Sequence, residues 1–386
     1  MIRKAYKYRI YPNNKQKDYF AKCFGCVRFF YNKSLNDMND IYKSTQKFED
    51  ITPAQYKEDY PFLKEIDSLA LANAQLNRNS AFKAYFRGNN ELPKLKSKRN
   101  DQSYTTNNQK GSVKFSNDDK YIDIPKCKRI RIKKHRDFIG IIKSSTISKT
   151  TDEKYYISLL VESDIKPLKD SNKAIGLDLG VKDLVTDSDG NKYQNHKYFA
   201  LNQEKLAHEQ RKLSHMKKGS NNFKKQKIKI AKIHKKITNQ RNDYLHKLSK
   251  HIVDENQIIC VEDLQVMKMT KDNDYNKSML DASMSKLLTM LIYKANWYHR
   301  TLVKVPSNFA SSQICHECGY KNSITKNLTV RKWICPKCGA NHDRDINAAR
   351  NILSKGISIL TKGGAHPDSL SNLGSLESLS KKPPLL

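Results

Sequence analysis

Acid is what this chain has too little of. Its 386 residues carry 39 Asp and Glu against 72 Lys and Arg, a formal charge of +33. An excess of about one positive charge per dozen residues exceeds what solubility requires and implies a polyanionic partner. Long hydrophobic runs are also missing: none approaches the ~18–20 apolar residues that span a bilayer, so no membrane partner is expected. Eight cysteines are too sparse for a secreted disulfide scaffold. The opening Met1–Ile10 segment lacks the apolar stretch of a secretory signal. What is present is enough to fold: 38% hydrophobic residues, with 20 Tyr and 13 Phe, can fill cores. The length suggests two or three domains. The expectation is a cytoplasmic protein that holds nucleic acid.

Residues 2–11 alternate basic and apolar side chains up to Pro12 and read as a strand. Asn13 and Asn14 can cap the helix that follows, with Tyr19, Cys23, Cys26, Val27 and Phe30 on its apolar face. A second helical region spans about Asp67–Arg87, its face including Leu71, Ala74, Phe82 and Phe86. From Pro93 the runs become short and β-branched: Val113–Phe115, Tyr121–Ile124, Ile130–Ile132, Ile139–Ile147 and Tyr155–Val161, an antiparallel barrel or sandwich. Arg129, Arg131 and Lys133 make one of these strands basic. Residues 202–255 read as two helices broken at Gly219–Asn222, with 15 Lys and Arg between Lys205 and Lys250. Strands are expected at 174–180, 258–261 and 302–305, and the chain beyond about Lys355 reads as a disordered tail.

Two features carry chemistry. Cys315-x-x-Cys318 and Cys335-x-x-Cys338 have the spacing of a zinc ribbon, in which two knuckles close a tetrahedron of thiolates around one structural Zn²⁺. Cys23 and Cys26 form another CxxC, but within a patterned helix and without a second pair, so packing is the expected role. Cys127 and Cys260 are single and expected to be buried. The second feature is a set of acids. Asp178 interrupts the apolar run Ile175-Gly-Leu-Asp-Leu-Gly180, where a lone carboxylate is costly unless a cation neutralises it. Glu262 ends the apolar run Ile258–Val261, and Asp345 opens a short helix after the cysteines, where an acid could also serve as a cap. Together the three could converge on two Mg²⁺ or Mn²⁺ ions ~3.5–4 Å apart, one activating water and the other stabilising a leaving 3′ oxygen. A GxDxG strand alone also occurs in phosphate-handling ATPases, but no second phosphate-binding glycine motif accompanies it here.

Four blocks resemble the transposon-encoded TnpB (OrfB) family, relatives of the type V CRISPR effectors. They are Phe24–Asn32, Gly176–Asp183, Val261–Leu264, and Ser311–Cys315 with the paired cysteines running into Asp343-Arg-Asp345-Ile-Asn-Ala-Ala349. The resemblance covers about residues 1–355. It implies a multidomain α+β protein: a wedge strand at 1–12, a helical recognition domain with a helix-turn-helix-like start at 13–90, and a β-barrel wedge domain at 91–172. A RuvC nuclease domain of RNase H type is implied at 173–310, with a zinc ribbon at 311–341 and a final RuvC helix at 342–355, leaving the tail at 356–386. It implies an RNA-guided endonuclease cutting double-stranded DNA beside a short flanking motif, with a guide RNA from the transposon end, in a prokaryotic cytoplasm on the nucleoid. The catalytic triad falls on Asp178, Glu262 and Asp345, with Asp343 the nearest competitor to Asp345. Ser68, Asn73, Tyr104, Thr106 and Asn107 match the motif-reading surface, and Arg129, Arg131 and Lys133 a nucleic-acid backbone surface. A nuclease-silent RNA-guided regulator and a DNA transposase are the alternatives.

Overall fold

The computed structural model describes residues 1–47, 49–99, 102–164, 166–263, 283–327 and 329–362. The chain divides into two compact units, Met1–Asp164 and Ile165–Leu386.

The first unit opens with strand β1 (Ile2–Tyr11) and helix α1 (Asn14–Thr45). The Asn13 side chain accepts from Gln16 N while Gln16 returns a bond to the Asn13 amide, a reciprocal cap that fixes where α1 starts. Helix α2 (Ser68–Phe86) is capped by Asp67. Six further strands follow: β2 (Gln102–Asn107), β3 (Lys114–Phe115), β4 (Tyr121–Ile124), β5 (Cys127–Lys133), β6 (Ile141–Lys149) and β7 (Tyr155–Ser163). With β1 they form one antiparallel sheet in the order β2-β6-β7-β1-β5-β4-β3. This is the antiparallel sheet expected of the short β-branched runs, with β2 and β3 at the two ends of its order. One hydrophobic core spans helices and strands together, from Phe20, Phe30 and Leu71 to Ile122, Ile157 and Val161. The expected helical domain and wedge domain therefore share a core. Phe86, expected on the apolar face of α2, is exposed at the end of the helix, where its ring meets those of Phe82 and Tyr85. Cys23, Cys26 and Cys127 are buried, the packing role expected of them.

The second unit is built on a five-stranded sheet, β10-β9-β8-β11-β12. Strands β8 (Ala174–Leu179), β9 (Asp183–Asp187) and β10 (Lys192–Gln194) form an antiparallel meander. Strands β11 (Ile258–Glu262) and β12 (Thr301–Val305) add in parallel beside β8. Helices α3 (Ala200–Ser214), α4 (Asn221–Glu255) and α5 (Ser283–Trp297) join these strands. Strands β13 (Lys332–Ile334) and β14 (Asn341–Asp343) form a hairpin that runs into helix α6 (Arg344–Lys362).

Because side chains alternate across a strand, β8 and β11 each show two faces. Ile175, Leu177, Leu179, Ile259 and Val261 pack with Leu245, Leu248 and Ile252 of α4 and Leu287 of α5. Ile258 and Cys260 pack instead with Ile352, Leu353 and Ile357 of α6. Both faces are covered, which is why these strands read as continuous apolar runs. Helix α6 continues to Lys362, past the expected end at 355, because Ile357 keeps its apolar stripe in register with the sheet. That corrects the expected tail over 356–362; residues 363–386 lie outside the described residues, as does Leu264.

Contact between α6 and the sheet is close at Gly176. A Cβ there would collide with the Ala349 carbonyl and sit 2.8 Å from the Leu353 amide nitrogen. Gly356 likewise meets Cys260, whose Cβ would lie 2.7 Å from an added methyl. Gly176→Ala is therefore expected to lift α6 from the sheet, at a cost of about 1–3 kcal/mol. Thermal denaturation checks this: a melting temperature equal to wild type would contradict the packing described.

Candidate active site and metal centre

The ladder between β8 and β11 pairs Cys260 with Gly176 and Val261 with Leu177. The next residues along, Glu262 and Asp178, therefore lie side by side, about one strand spacing apart and on the face covered by α6. The first turn of α6 meets the same end of the sheet and carries Asp345. All three carboxylates are half-buried. Burial raises the pKa of Asp178 to about 7, reinforced by the negative charges of Asp345 and Glu262 and opposed by the Arg344 and Arg331 guanidiniums. Burial also raises the Glu262 pKa. Three acids at the exit of two apolar strands hold more negative charge than their surroundings neutralise, and hard oxygen donors of this kind suit Mg²⁺ or Mn²⁺.

The neighbouring acids have other partners. Asp343 Oδ1 accepts the amides of Asp345 and Ile346 at 3.1 and 3.2 Å, so it caps α6. Its Oδ2 pairs with Lys192 Nζ at 2.6 Å. Burial would raise its pKa, but Lys192 and the helix amides outweigh that and hold it below the usual carboxylate value. Capping, the alternative role for Asp345, thus falls to Asp343. Asp263 points away and pairs with Lys304 at 3.0 Å. Asp345 faces Arg331, whose Nη1 lies 3.3 and 3.4 Å from its two oxygens. Arg331, Lys192 and the capping role of Asp343 were not singled out from the sequence; an arginine between two cysteine pairs looks like any other surface charge.

Cys315, Cys318, Cys335 and Cys338 bring their four Sγ atoms within 4.8 Å of one another. Cys315–Cys338 and Cys318–Cys335 are separated by 3.7 and 3.6 Å. A tetrahedral Zn²⁺ with bonds of ~2.3 Å requires sulfurs about 3.8 Å apart, so the cluster fits zinc. Its two knuckles are alike: Gly319 and Gly339, at φ 75° and 74°, donate their amides to the Cys315 and Cys335 carbonyls at 2.9 and 2.8 Å. The left-handed backbone is why glycine follows each second cysteine. His342, a residue the sequence did not mark, places Nε2 3.1 Å from Cys315 Sγ.

The expected nucleic-acid residues fall into two groups within the first unit. Arg131 and Lys133 lie on the exposed face of β5, opposite Tyr11 and Arg9 of β1, with Ile130 and Ile132 directed inward. Arg129 stacks over Tyr121 at 4.8 Å. Ser68 is exposed at the start of α2, and Asn73 and Asn107 are half-buried and 3.4 Å apart. Tyr104 and Thr106 differ from expectation. Both lie on β2, where alternation turns their side chains into the core, 3% and 0% exposed. Thr106 is held by Asp67, the cap of α2, so neither side chain is presented to a base edge.

Among solved structures, the chain is similar in fold to the Cas12f1 chain of a Cas12f1–sgRNA–target DNA complex. The TM-score is 0.54 and identity 16%, over 88% of this chain and 83% of that one. Family models match residues 1–47 (helix-turn-helix domain of OrfB_IS605), 156–273 (OrfB_IS605, probable transposase) and 285–352 (Cas12f1-like, TNB domain). A Streptomyces pristinaespiralis protein provisionally named an RNA-guided DNA endonuclease is 33% identical, over 99% of this chain and 96% of its own length. An Escherichia coli K12 protein, InsQ, with the same provisional name is 30% identical over 93% and 94%. The chain belongs to the TnpB (OrfB) family of RNA-guided DNA endonucleases.

Proposed function

We propose that this chain is an RNA-guided endonuclease of a transposable element. It would hydrolyse phosphodiester bonds of double-stranded DNA beside a short flanking motif, using a guide RNA from the element's end. The observation that carries the reading is the meeting of Asp178, Glu262 and Asp345 at one end of the β8–β11 pair, with the Asp178 pKa raised by burial and further by its two neighbours. Two divalent cations, when bound, would supply an activated water and neutralise charge on the leaving oxygen. Asp178, Glu262 and Asp345 would supply the carboxylate oxygens that hold them. Arg331 would hold a phosphate oxygen of the substrate, a pairing that suits its fork of donors.

Base pairing would read target sequence, leaving the protein to hold backbones and read the flanking motif. We assign backbone contacts to the exposed basic strand face of Arg131 and Lys133, with Arg129 beside it, and to the cationic α3–α4 hairpin. Ser68, Asn73 and Asn107 are the motif readers we retain. The first unit would serve as wedge and recognition regions, and the second as a RuvC-type nuclease carrying a zinc ribbon. No described helix is long and apolar enough to cross a membrane; a charge of +33 would place the particle on the nucleoid.

The test is to sequence the RNA that copurifies with the protein and offer a plasmid carrying the matching target. A single discrete RNA species and cutting at the matched site are expected. Heterogeneous RNA with no matched cutting defeats the proposal, binding without cutting points to a guided regulator, and joined products point to a transposase.

A further inference from the structure

The zinc ribbon and the acid at the head of α6 are connected through buried amides. Asn347 and Asn351 lie one turn apart on α6, 2% and 5% exposed. The Asn347 Oδ1 accepts the His316 amide at 2.9 Å, and its Nδ2 donates to the Ile314 carbonyl at 2.8 Å. The Asn351 Nδ2 donates to the carbonyls of Ser311 and Ile314 at 2.8 and 2.6 Å. Three of the four bonds end on Ile314 and His316, the residues that flank Cys315, and the fourth ends on Ser311 just upstream. From the other side, His342 reaches Cys315 Sγ and packs on Trp333 at 4.6 Å, one residue before the cap Asp343. The Arg344 amide donates to the Arg331 carbonyl at 2.8 Å, which ties the second half of the ribbon to the same turn.

We propose that Asn347 and Asn351 are positioning residues through which the zinc-bound first knuckle fixes Asp345 in the acid site. The proposal rests on reading Asp345 as a metal-holding acid. Its physical basis is the cost of orphaning buried amides. If the knuckle opens, Asn347 and Asn351 lose partners where water does not reach them, so knuckle and helix start hold or open together. The thiolates converge only while a cation neutralises them. Losing it frees the knuckle, releases the first two turns of α6 and moves Asp345. Strands β8 and β11 keep their own ladder and core, so Asp178 and Glu262 stay in place. A displacement of ~1 Å in such a group can cost about 10²-fold in rate. The zinc would thus be structural in its coordination and still decide whether the third acid is present.

The primary experiment is amide hydrogen exchange on the full chain, zinc-loaded and after treatment with a zinc-selective chelator. Protection at 344–351 is expected to fall at least ~10-fold together with that at 311–318, while 175–179 and 258–261 keep theirs. Retained protection at 344–351 when 311–318 has lost it would overturn the proposal. This measurement involves no DNA, so it stands apart from the nuclease reading. The second uses Asn347→Ala and Asn351→Ala. Each is expected to keep about one zinc per chain, with Mn²⁺ affinity measured without DNA lowered ~10-fold and cleavage recovering at raised metal. Unchanged Mn²⁺ affinity in variants that have lost cleavage would overturn it. Should either variant fail to fold, the exchange result on the wild type decides. Absence of Mn²⁺ binding in the wild type would overturn the metal reading of Asp345, and with it the proposal.

Discussion

Asp178→Asn is expected to stabilise the metal-free protein while abolishing cleavage. The Asp178 pKa is raised from 3.8 to about 7 by burial and by Asp345 and Glu262. Between those values the folded chain binds more protons than the unfolded one, so stability falls as pH rises from ~4 to ~7 and levels off above. The gain from removing the charge should be nil near pH 4 and on the order of 2–4 kcal/mol above pH 7. Added Mg²⁺ should reverse the ranking, since only the wild type retains the full set of carboxylates. Loss of a central metal-holding carboxylate should lower cleavage on the order of 10³-fold or more. Calorimetry across pH with and without Mg²⁺, alongside a cleavage assay, checks both halves. A variant that is inactive and less stable at every pH would mean that Asp178 is a structural acid.

Cys335→Ser is expected to cost far more stability than Cys338→Ser. Cys335 is 1% exposed and its amide is bonded to the Ala340 carbonyl at 2.8 Å, whereas Cys338 is exposed. A water can replace the sulfur of Cys338 but has no route to that of Cys335. Structural zinc sites contribute roughly 10–16 kcal/mol to folding in isolated fingers, and loss of one thiolate forfeits much of that. Metal analysis should give about one zinc per chain in the wild type and a small fraction of that in Cys335→Ser, with little soluble protein recovered. Cys338→Ser should keep more of both. Equal zinc in all three proteins would defeat the four-thiolate assignment.

How much was legible in the sequence follows from where each signal resides. Helices α1 and α4, strands β1, β8 and β11, and the ribbon are marked by local patterns: a reciprocal cap, an apolar stripe, alternation, and CxxC spacing. Asp178 and Glu262 stood out because one interrupts and the other ends an apolar run, a local anomaly, and Asp345 because it opens the helix after the cysteines. Strand β2 was missed because Gln102–Asn107 is polar apart from Tyr104, and only pairing with β6 and the core around Tyr104 make it a strand. Tertiary packing outweighed propensity there. Phe86 misled because the apolar spacing of α2 continues one residue beyond the surface that covers it. The roles of Asp343, Arg331, Asn347 and Asn351 depend on partners 14 to 151 residues away or on backbone amides. Such long-range pairings leave no mark in the local sequence.

The most direct measurement of the central claim is cleavage of a plasmid bearing the guide-matched target by protein purified with its RNA, stripped of divalent cations and then given Mg²⁺. The wild type is expected to be silent before Mg²⁺ and to cut after it. Asp178→Asn and Glu262→Gln should bind the same RNA and target without cutting. Matched cutting that survives in either variant, or that proceeds without a divalent cation, would contradict the account.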